Sequence, residues 1–314
     1  MDVRRLNALV ALADHGSFSG AARALYTVQS NISSHVARLE SELGVRLYDR
    51  AQGTLTAEGA VVVARARRVQ SELEALVGDL DSLDTSATGD VRLGVIGTTA
   101  RWLVPRLLEA LRIDYPRVRA IVVEASTSSL IPRLLHGPLD LAVVNLPVDD
   151  PEVATEPLFS EQLICVAPSD HALASYDHVT LAELAEHPLL LSAPGTAVRD
   201  DLEAEAARQG VHLRAQAEID GVRLIASLAF QGFGAAILPA TAVPNEPRAG
   251  WRRVPVDGLP RRQVGLARRA RGLPTAPARA LAGLVPMVVA LQGADQPGVQ
   301  VLTSLGASTN PRPP

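Results

Sequence analysis

Residues 27–40 read TVQSNISSHVARLE. Ile32, Val36 and Leu39 recur at helical spacing and continue to Leu43, so they form one apolar stripe. With that stripe turned inward, Ser30, Asn31, Ser34, Ala37 and Arg38 point away, and Gln29, Ser33 and His35 lie on the flanks. A solvated helix face is usually dense in charge, and this one carries a single Arg. Short hydroxyl and amide side chains suit base edges and phosphates in a major groove. Asn and Gln can pair with an adenine edge, Arg with guanine, and Ala leaves room for a thymine methyl.

The flanking sequence decides between a groove-reading helix and a plain solvated one. Leu6, Leu9, Val10 and Ala13 mark one helix before it. Ser19 can cap a short second helix carrying Ala21, Ala22 and Leu25, and Thr27 is positioned to cap the quoted one. Gly44 ends it. Residues 45–56, VRLYDRAQGTLT, alternate around a Gly as a small hairpin does. Helix, helix, tight turn, helix, hairpin is the order of a winged helix-turn-helix. Residues 1–57 hold six Arg and five acids, a net of +1, so bulk charge adds little. Arg4, Arg5, Arg23, Arg46 and Arg50 can still line one surface and make phosphate contacts that weaken with salt.

Beyond the hairpin, Val62, Ala66, Val69, Leu73, Leu76, Leu80 and Leu83 alternate in steps of four and three. That is a coiled-coil seam, and it predicts dimerisation through a long helix. DTSATGD (residues 84–90) reads as a linker. From residue 91 strand-like and helical stretches alternate: VRLGVI, RWLVPRLLEALRIDYP, VRAIVVEAS, SLIPRLLHGPL, DLAVVNLP, and then QLICVAP onward. This predicts two α/β units with mainly parallel sheets, crossing over near Val166 and Ala167. From about Leu291 the tail is expected to be disordered or loosely docked.

The chain has 314 residues, is 47% hydrophobic and has a net charge of −4, which excludes a polycation that binds nucleic acid by bulk charge. All 30 basic residues are Arg. One cysteine, Cys165, excludes an internal disulfide and a cysteine-rich metal site, and its apolar run QLICVAP reads as a buried strand. No secretory leader pattern opens the chain, and no uninterrupted apolar run approaches the roughly 18 residues that cross a bilayer. A cytoplasmic protein without a membrane partner is the expectation. GxGxxG, GxxxxGK[ST], GxSxG and HExxH are absent, and the seven His show no ligand spacing. No catalytic residue, metal or cofactor is therefore expected.

LNALVALADHGSFSGAARALYTVQSNISSHVARLESELGVRLYDR, with LTAEG after it, resembles the N-terminal domain of the LysR-type transcriptional regulators. Phe18, Ala21, Ala22, Leu25, Gln29, Ser33, Leu39, Glu40, Leu43, Gly44, Leu47, Arg50, Leu55, Thr56 and Gly59 carry the likeness, and GDVRLGV, YPRVR, LLHGPLDLAVV and GFGAAILP continue it. The resemblance implies an α+β multidomain chain. A winged helix-turn-helix (1–58) is followed by a linker helix and hinge (59–90). A periplasmic-binding-protein-like domain (91–290) then has two Rossmann-like subdomains, 91–165 with 263–290 and 166–262, before the tail at 291–314. It implies a regulator that binds an interrupted dyad of double-stranded DNA as a dimer or tetramer. A small molecule in the cleft between subdomains is its signal, and RNA polymerase is its partner if it activates. Ser19, Gln29, Ser30, Asn31, Ser33, Ser34, Arg38 and Arg50 are the expected DNA contacts, and Val62, Ala66, Val69, Leu73, Leu76 and Leu80 the dimer seam. Departures exist: Val28 and Ser30 replace the usual Ser and Pro, and the wing is about two residues short. These keep open an alternative, a small-molecule sensor with weak or non-specific DNA binding.

Open α/β units bind ligands at strand carboxyl ends, near helix starts. The candidate positions are Thr98 and Thr99, Ser126 and Thr127, Asn145, Gly195 and Thr196 with Arg199, and Gly221 with Val222. Most Ser and Thr at helix starts are only caps. As a converging group these suit a carboxylate or another small anion, with Arg199 as its counter-ion.

Overall fold

The computed structural model describes residues 1–81, 87–244 and 250–302, without the side chains of 71, 74, 75 and 77–81. Leu83, linker residues 84–86 and the last twelve residues therefore lie outside the described residues, as does the side chain of Leu80.

Three helices and a hairpin open the chain: α1 (Val3–His15), α2 (Phe18–Ala24), α3 (Gln29–Leu43), β1 (Tyr48–Asp49) and β2 (Thr54–Leu55). Leu9, Leu12, Ile32, Leu39 and Leu47 are fully enclosed in their common core. Truncating one such leucine to Ala costs about 2–5 kcal/mol. Gly44 ends α3 in the left-handed region at φ 71°, where a side chain would be strained. The Glu40 carboxylate accepts from the Leu47 and Tyr48 N–H groups at 2.8 and 3.3 Å, tying α3 to the hairpin.

Both expected caps fall elsewhere. Ser17, not Ser19, caps α2 by accepting from Gly20 N. Val28 stands at the N-cap of α3, and the Thr27 hydroxyl instead accepts from the Asn31 amide at 3.0 Å.

α4 (Ala57–Asp81) follows. Thr56 Oγ1 accepts from Gly59 N in its first turn. A Cβ at Gly59 would sit 1.9 Å from the Leu47 carbonyl oxygen, so only glycine allows this approach. The expected seam divides along the helix. Val62 and Ala66 pack, with Val63, into the winged domain's own core, and Ala66 is enclosed. It is unavailable to a second chain because the first turns of α4 lie on α1. Val69, Leu73 and Leu76 remain exposed.

The rest forms two sheets. β3 (Gly89–Val95), α5 (Gly97–Asp114), β4 (Val118–Glu124), α6 (Thr127–His136), β5 (Leu141–Leu146) and β6 (Val153–Glu161) begin the first. The second holds β7 (Leu163–Pro168), α7 (Leu181–Ala185), β8 (Pro188–Ser192), α8 (Ala197–Arg208), β9 (Arg214–Ile219), α9 (Val222–Phe230), β10 (Ala235–Pro239) and β11 (Trp251–Pro255). The chain then returns through β12 (Arg262–Arg269), α10 (Ala276–Gln292) and β13 (Val299–Val301). The strand orders are β13-β6-β12-β5-β3-β4 and β11-β7-β10-β8-β9. β4, β3 and β5 run parallel, as do β10, β8 and β9, while β12 and β7 are antiparallel to their neighbours. α10 is apolar enough to pass for a membrane span by composition, but half of it is buried inside the protein. Leu281, Val285 and Val289 fill the first sheet's core.

Three boundaries differ from the sequence reading. The first crossing falls at Gln162, because Leu163, Ile164 and Cys165 already pair in the second sheet. The return precedes Arg262, which pairs with Glu161 in the first. Residues 291–302 are ordered: Val299–Val301 zip against Ser160 and its neighbours, an attachment that the polar composition of the tail hides.

Candidate functional site

α3 presents Gln29, Ser30, Asn31, Ser34, Ala37 and Arg38 to solvent, and Ser33 is half-buried on its flank. Asn31 is braced by Thr27, which leaves its amide oxygen and its second N–H free. Arg50, from the wing, donates to Ser33 Oγ at 3.3 Å and lies over the Phe18 ring at 5.3 Å. It is held beside α3 by a hydrogen bond and a cation–π contact. Ser19 is exposed on α2. Tyr26, at the turn before α3, is 98% exposed with φ 50°, and sequence reasoning misses it. Its signal is an aromatic ring in a turn that no apolar stripe claims.

The second site is a cavity of about 450 Å³ between the two sheets. Thr98, Ser126, Thr196, Gly221 and Val222 line it, as their positions at helix starts suggest. The other expected residues do not. Thr99 is enclosed within its own subdomain, and its hydroxyl has no hydrogen-bond partner. Thr127 Oγ1 accepts from Asn145 N, and Asn145 Oδ1 accepts from Arg262, so both are structural supports behind the lining. Gly195 N donates to Asp200. Arg199 is buried and turned away: it donates to the Ser192 carbonyl at 3.0 Å and to Glu203 at 2.5 Å, and pairs with Glu218. It pins α8 to its sheet and is not a free cation.

The lining also holds Glu124, Ser192, Asp220, Arg223 and Arg262, none of them singled out in the sequence. Arg262 is the centre of the site. Its Nε donates to Glu161 at 2.6 Å, its Nη2 to Thr98 Oγ1 at 2.6 Å, and its Nη1 to Asn145 at 3.2 Å. Glu161 is fully buried and also accepts from the backbone N–H and hydroxyl of Thr241. One carboxylate thus joins the first sheet to the end of the second. The legible signal was a charge bounding each apolar run at each crossing, Glu161 after PLFS and Arg262 before QVGLA. At the mouth Arg223 of α9 pairs with Glu124 of β4 at 2.7 Å, a link between the two lobes.

Residues 3–60 match the family of the bacterial regulatory helix-turn-helix protein, lysR family, and residues 84–288 match the LysR substrate binding domain. A probable hydrogen peroxide-inducible genes activator of Streptomyces viridosporus is 36% identical over 84% of this chain and 87% of that protein. The DNA-binding transcriptional dual regulator OxyR of Escherichia coli is 30% identical over 86% and 90%. A full-length OxyR from Pseudomonas aeruginosa, solved as a cysteine-to-aspartate variant, superposes with a TM-score of 0.73 at 25% identity, covering 93% of this chain and 95% of that one. With an exposed polar helix face in the N-terminal domain, a long helix after it, a two-lobed C-terminal domain and these matches, the chain belongs to the LysR family of DNA-binding transcriptional regulators.

Proposed function

We propose that this regulator reads an interrupted dyad through α3 and Arg50 as a dimer or tetramer, and that a small molecule in the cavity between its sheets changes how it does so. The observation that carries the reading is the wiring of that cavity. Thr98 faces the ligand space and accepts from Arg262, which is paired with Glu161, the residue bound across to Thr241. A ligand touching Thr98 or Arg262 therefore acts on the joint between the lobes, and can favour one lobe arrangement only through differential contacts with it. Regulation at a promoter, with RNA polymerase as partner if it activates, follows from this reading, as does action in the cytoplasm.

The relatives are named for hydrogen peroxide. A peroxide response through a thiol needs an accessible thiolate. Cys165, the only cysteine, is fully enclosed in β7, and burial pushes its thiol up to about 12. The signal in this chain is therefore read by ligand occupancy and not by thiol oxidation.

The test is a footprint on selected DNA, with and without the low-molecular-mass fraction of a cell extract. The extract is expected to alter the wild-type footprint and to leave that of Ser126→Trp, whose cavity is filled, unchanged. An unaltered wild-type footprint, or an equal change in the variant, would overturn the cavity as the sensor.

A further inference from the structure

The effector class follows from which charges at the cavity are already committed; the inference rests on the cavity being the effector site. Helix starts at a cleft ordinarily suit an anion. Four helices begin here: α5, α6, α8 and α9. None has its N-cap side chain bonded to a backbone N–H of its own first turn; Ser126 Oγ instead bonds the Ser128 and Ser129 hydroxyls. Two of the four are instead served by the chain's own carboxylates, and a third carboxylate adjoins the start of α9 in sequence. An ideal Cβ at Gly97, the first residue of α5, would lie 2.7 Å from Glu124 Oε1, so that carboxylate rests on the helix start. Asp200 lies in the first turn of α8 and accepts from Gly195 N at 3.2 Å. Asp220 immediately precedes Gly221, the N-cap of α9.

The cations are equally committed. Arg262 is spent on Glu161, Thr98 and Asn145, and Arg199 on Ser192, Glu203 and Glu218. Arg223 is held by Glu124. An incoming carboxylate would meet no free guanidinium and would lie beside Glu124 and Asp220, a like-charge encounter in a partly desolvated space. Asp220, by contrast, lines the cavity and makes no hydrogen bond or ion pair among the described residues. The Glu124–Arg223 pair is exposed at its Arg side, 70% accessible, and such a pair is weak and easily exchanged.

We infer that the effector is a small molecule carrying a cationic group, an ammonium or amidinium, held by Asp220 and Glu124 and by the hydroxyls of Thr98, Ser126, Ser192 and Thr196. Its charge takes the place of the Arg223 guanidinium at Glu124. The exchange releases the ion pair that links β4 of one lobe to α9 of the other, so binding alters the lobe arrangement at the mouth as well as at the joint. The cavity volume of about 450 Å³ accommodates a compact metabolite of this kind.

The experiment is ligand-observed NMR on the full chain with a fragment set balanced in charge, including the matched probes cyclohexylmethylammonium, cyclohexylmethanol and cyclohexanecarboxylate. Site-specific hits are those lost in both Ser126→Trp and Leu224→Trp, each checked for native circular dichroism. Cations are expected to dominate those hits and to bind about tenfold or more weakly to Glu124→Gln with Asp220→Asn, as loss of a charge-assisted contact predicts. Carboxylates or phosphates among the site-specific hits, or cations indifferent to the double substitution, would overturn the ligand class and leave the cavity as the sensor. Hits that bind all variants alike, or no site-specific hit, would overturn the cavity reading itself.

Discussion

Arg262 and Glu161 face each other at the first residue of β12 and the last of β6, with Nε donating to the carboxylate at 2.6 Å, and both are buried. Breaking such a pair from one side strands a charge in a low-dielectric site. Arg262→Met is expected to cost about 3–5 kcal/mol. Arg262→Met with Glu161→Gln should recover much of that loss, since Gln can still accept from Thr241. Urea unfolding of the two variants checks it, and equal losses would mean that the charge is not what the pair supplies.

The thiol of Cys165 gives a pH prediction. Its ordinary value of 9.0 is pushed up to about 12 by burial, so between those values the unfolded chain releases a proton that the fold retains. The unfolded state then binds fewer protons, and stability falls as pH rises from 9 toward 12, with no contribution below 9. Cys165→Val should flatten that stretch of the stability curve. Native protein should also resist iodoacetamide until it is unfolded. Rapid alkylation at neutral pH would show that the strand opens.

On the reading helix, Asn31→Ala and Arg38→Ala are each expected to lower specific DNA affinity by about 1–3 kcal/mol, the usual worth of a base contact. The dimer should persist. Anisotropy titrations with specific and scrambled duplexes separate base reading from phosphate contact, because a phosphate contact would weaken both alike. Unchanged affinity in both variants would move the reading face off α3.

Leu73 and Leu76 are exposed on α4 beyond the part anchored by Ala66. Leu73→Asp with Leu76→Asp is expected to dissociate the dimer, read by sedimentation velocity. The winged domain should stay folded, since neither side chain is in its core. An intact oligomer would place the interface elsewhere.

What the sequence made legible tracks how local the cause was. The stripe of Ile32, Val36 and Leu39 and the glycine at 44 act within one helix, and α3 forms where they place it. Cys165 in an apolar run proved a buried strand residue. The caps went astray by one or two residues because Ser17 competes with Ser19 and Asn31 competes for Thr27, choices that backbone geometry makes. The four-three spacing was real, but Ala66 serves the domain's own core, and period cannot tell one partner from another. The cavity was half legible. Hydroxyls at helix starts were found by position, whereas Arg262, Glu161 and Glu124 matter through partners far away in sequence, Thr98 being 164 residues from Arg262. Arg199 misled because a buried guanidinium and a ligand-binding one look alike until their partners are known.

The most direct test of a sequence-reading regulator is capture and sequencing of genomic fragments on the purified full-length protein at low and at physiological salt. One recurrent interrupted dyad, retained at the higher salt, is the result that this account predicts. Diffuse recovery that vanishes as salt rises, or no recovery at either, would contradict it and leave a small-molecule sensor with only phosphate-driven contact to DNA.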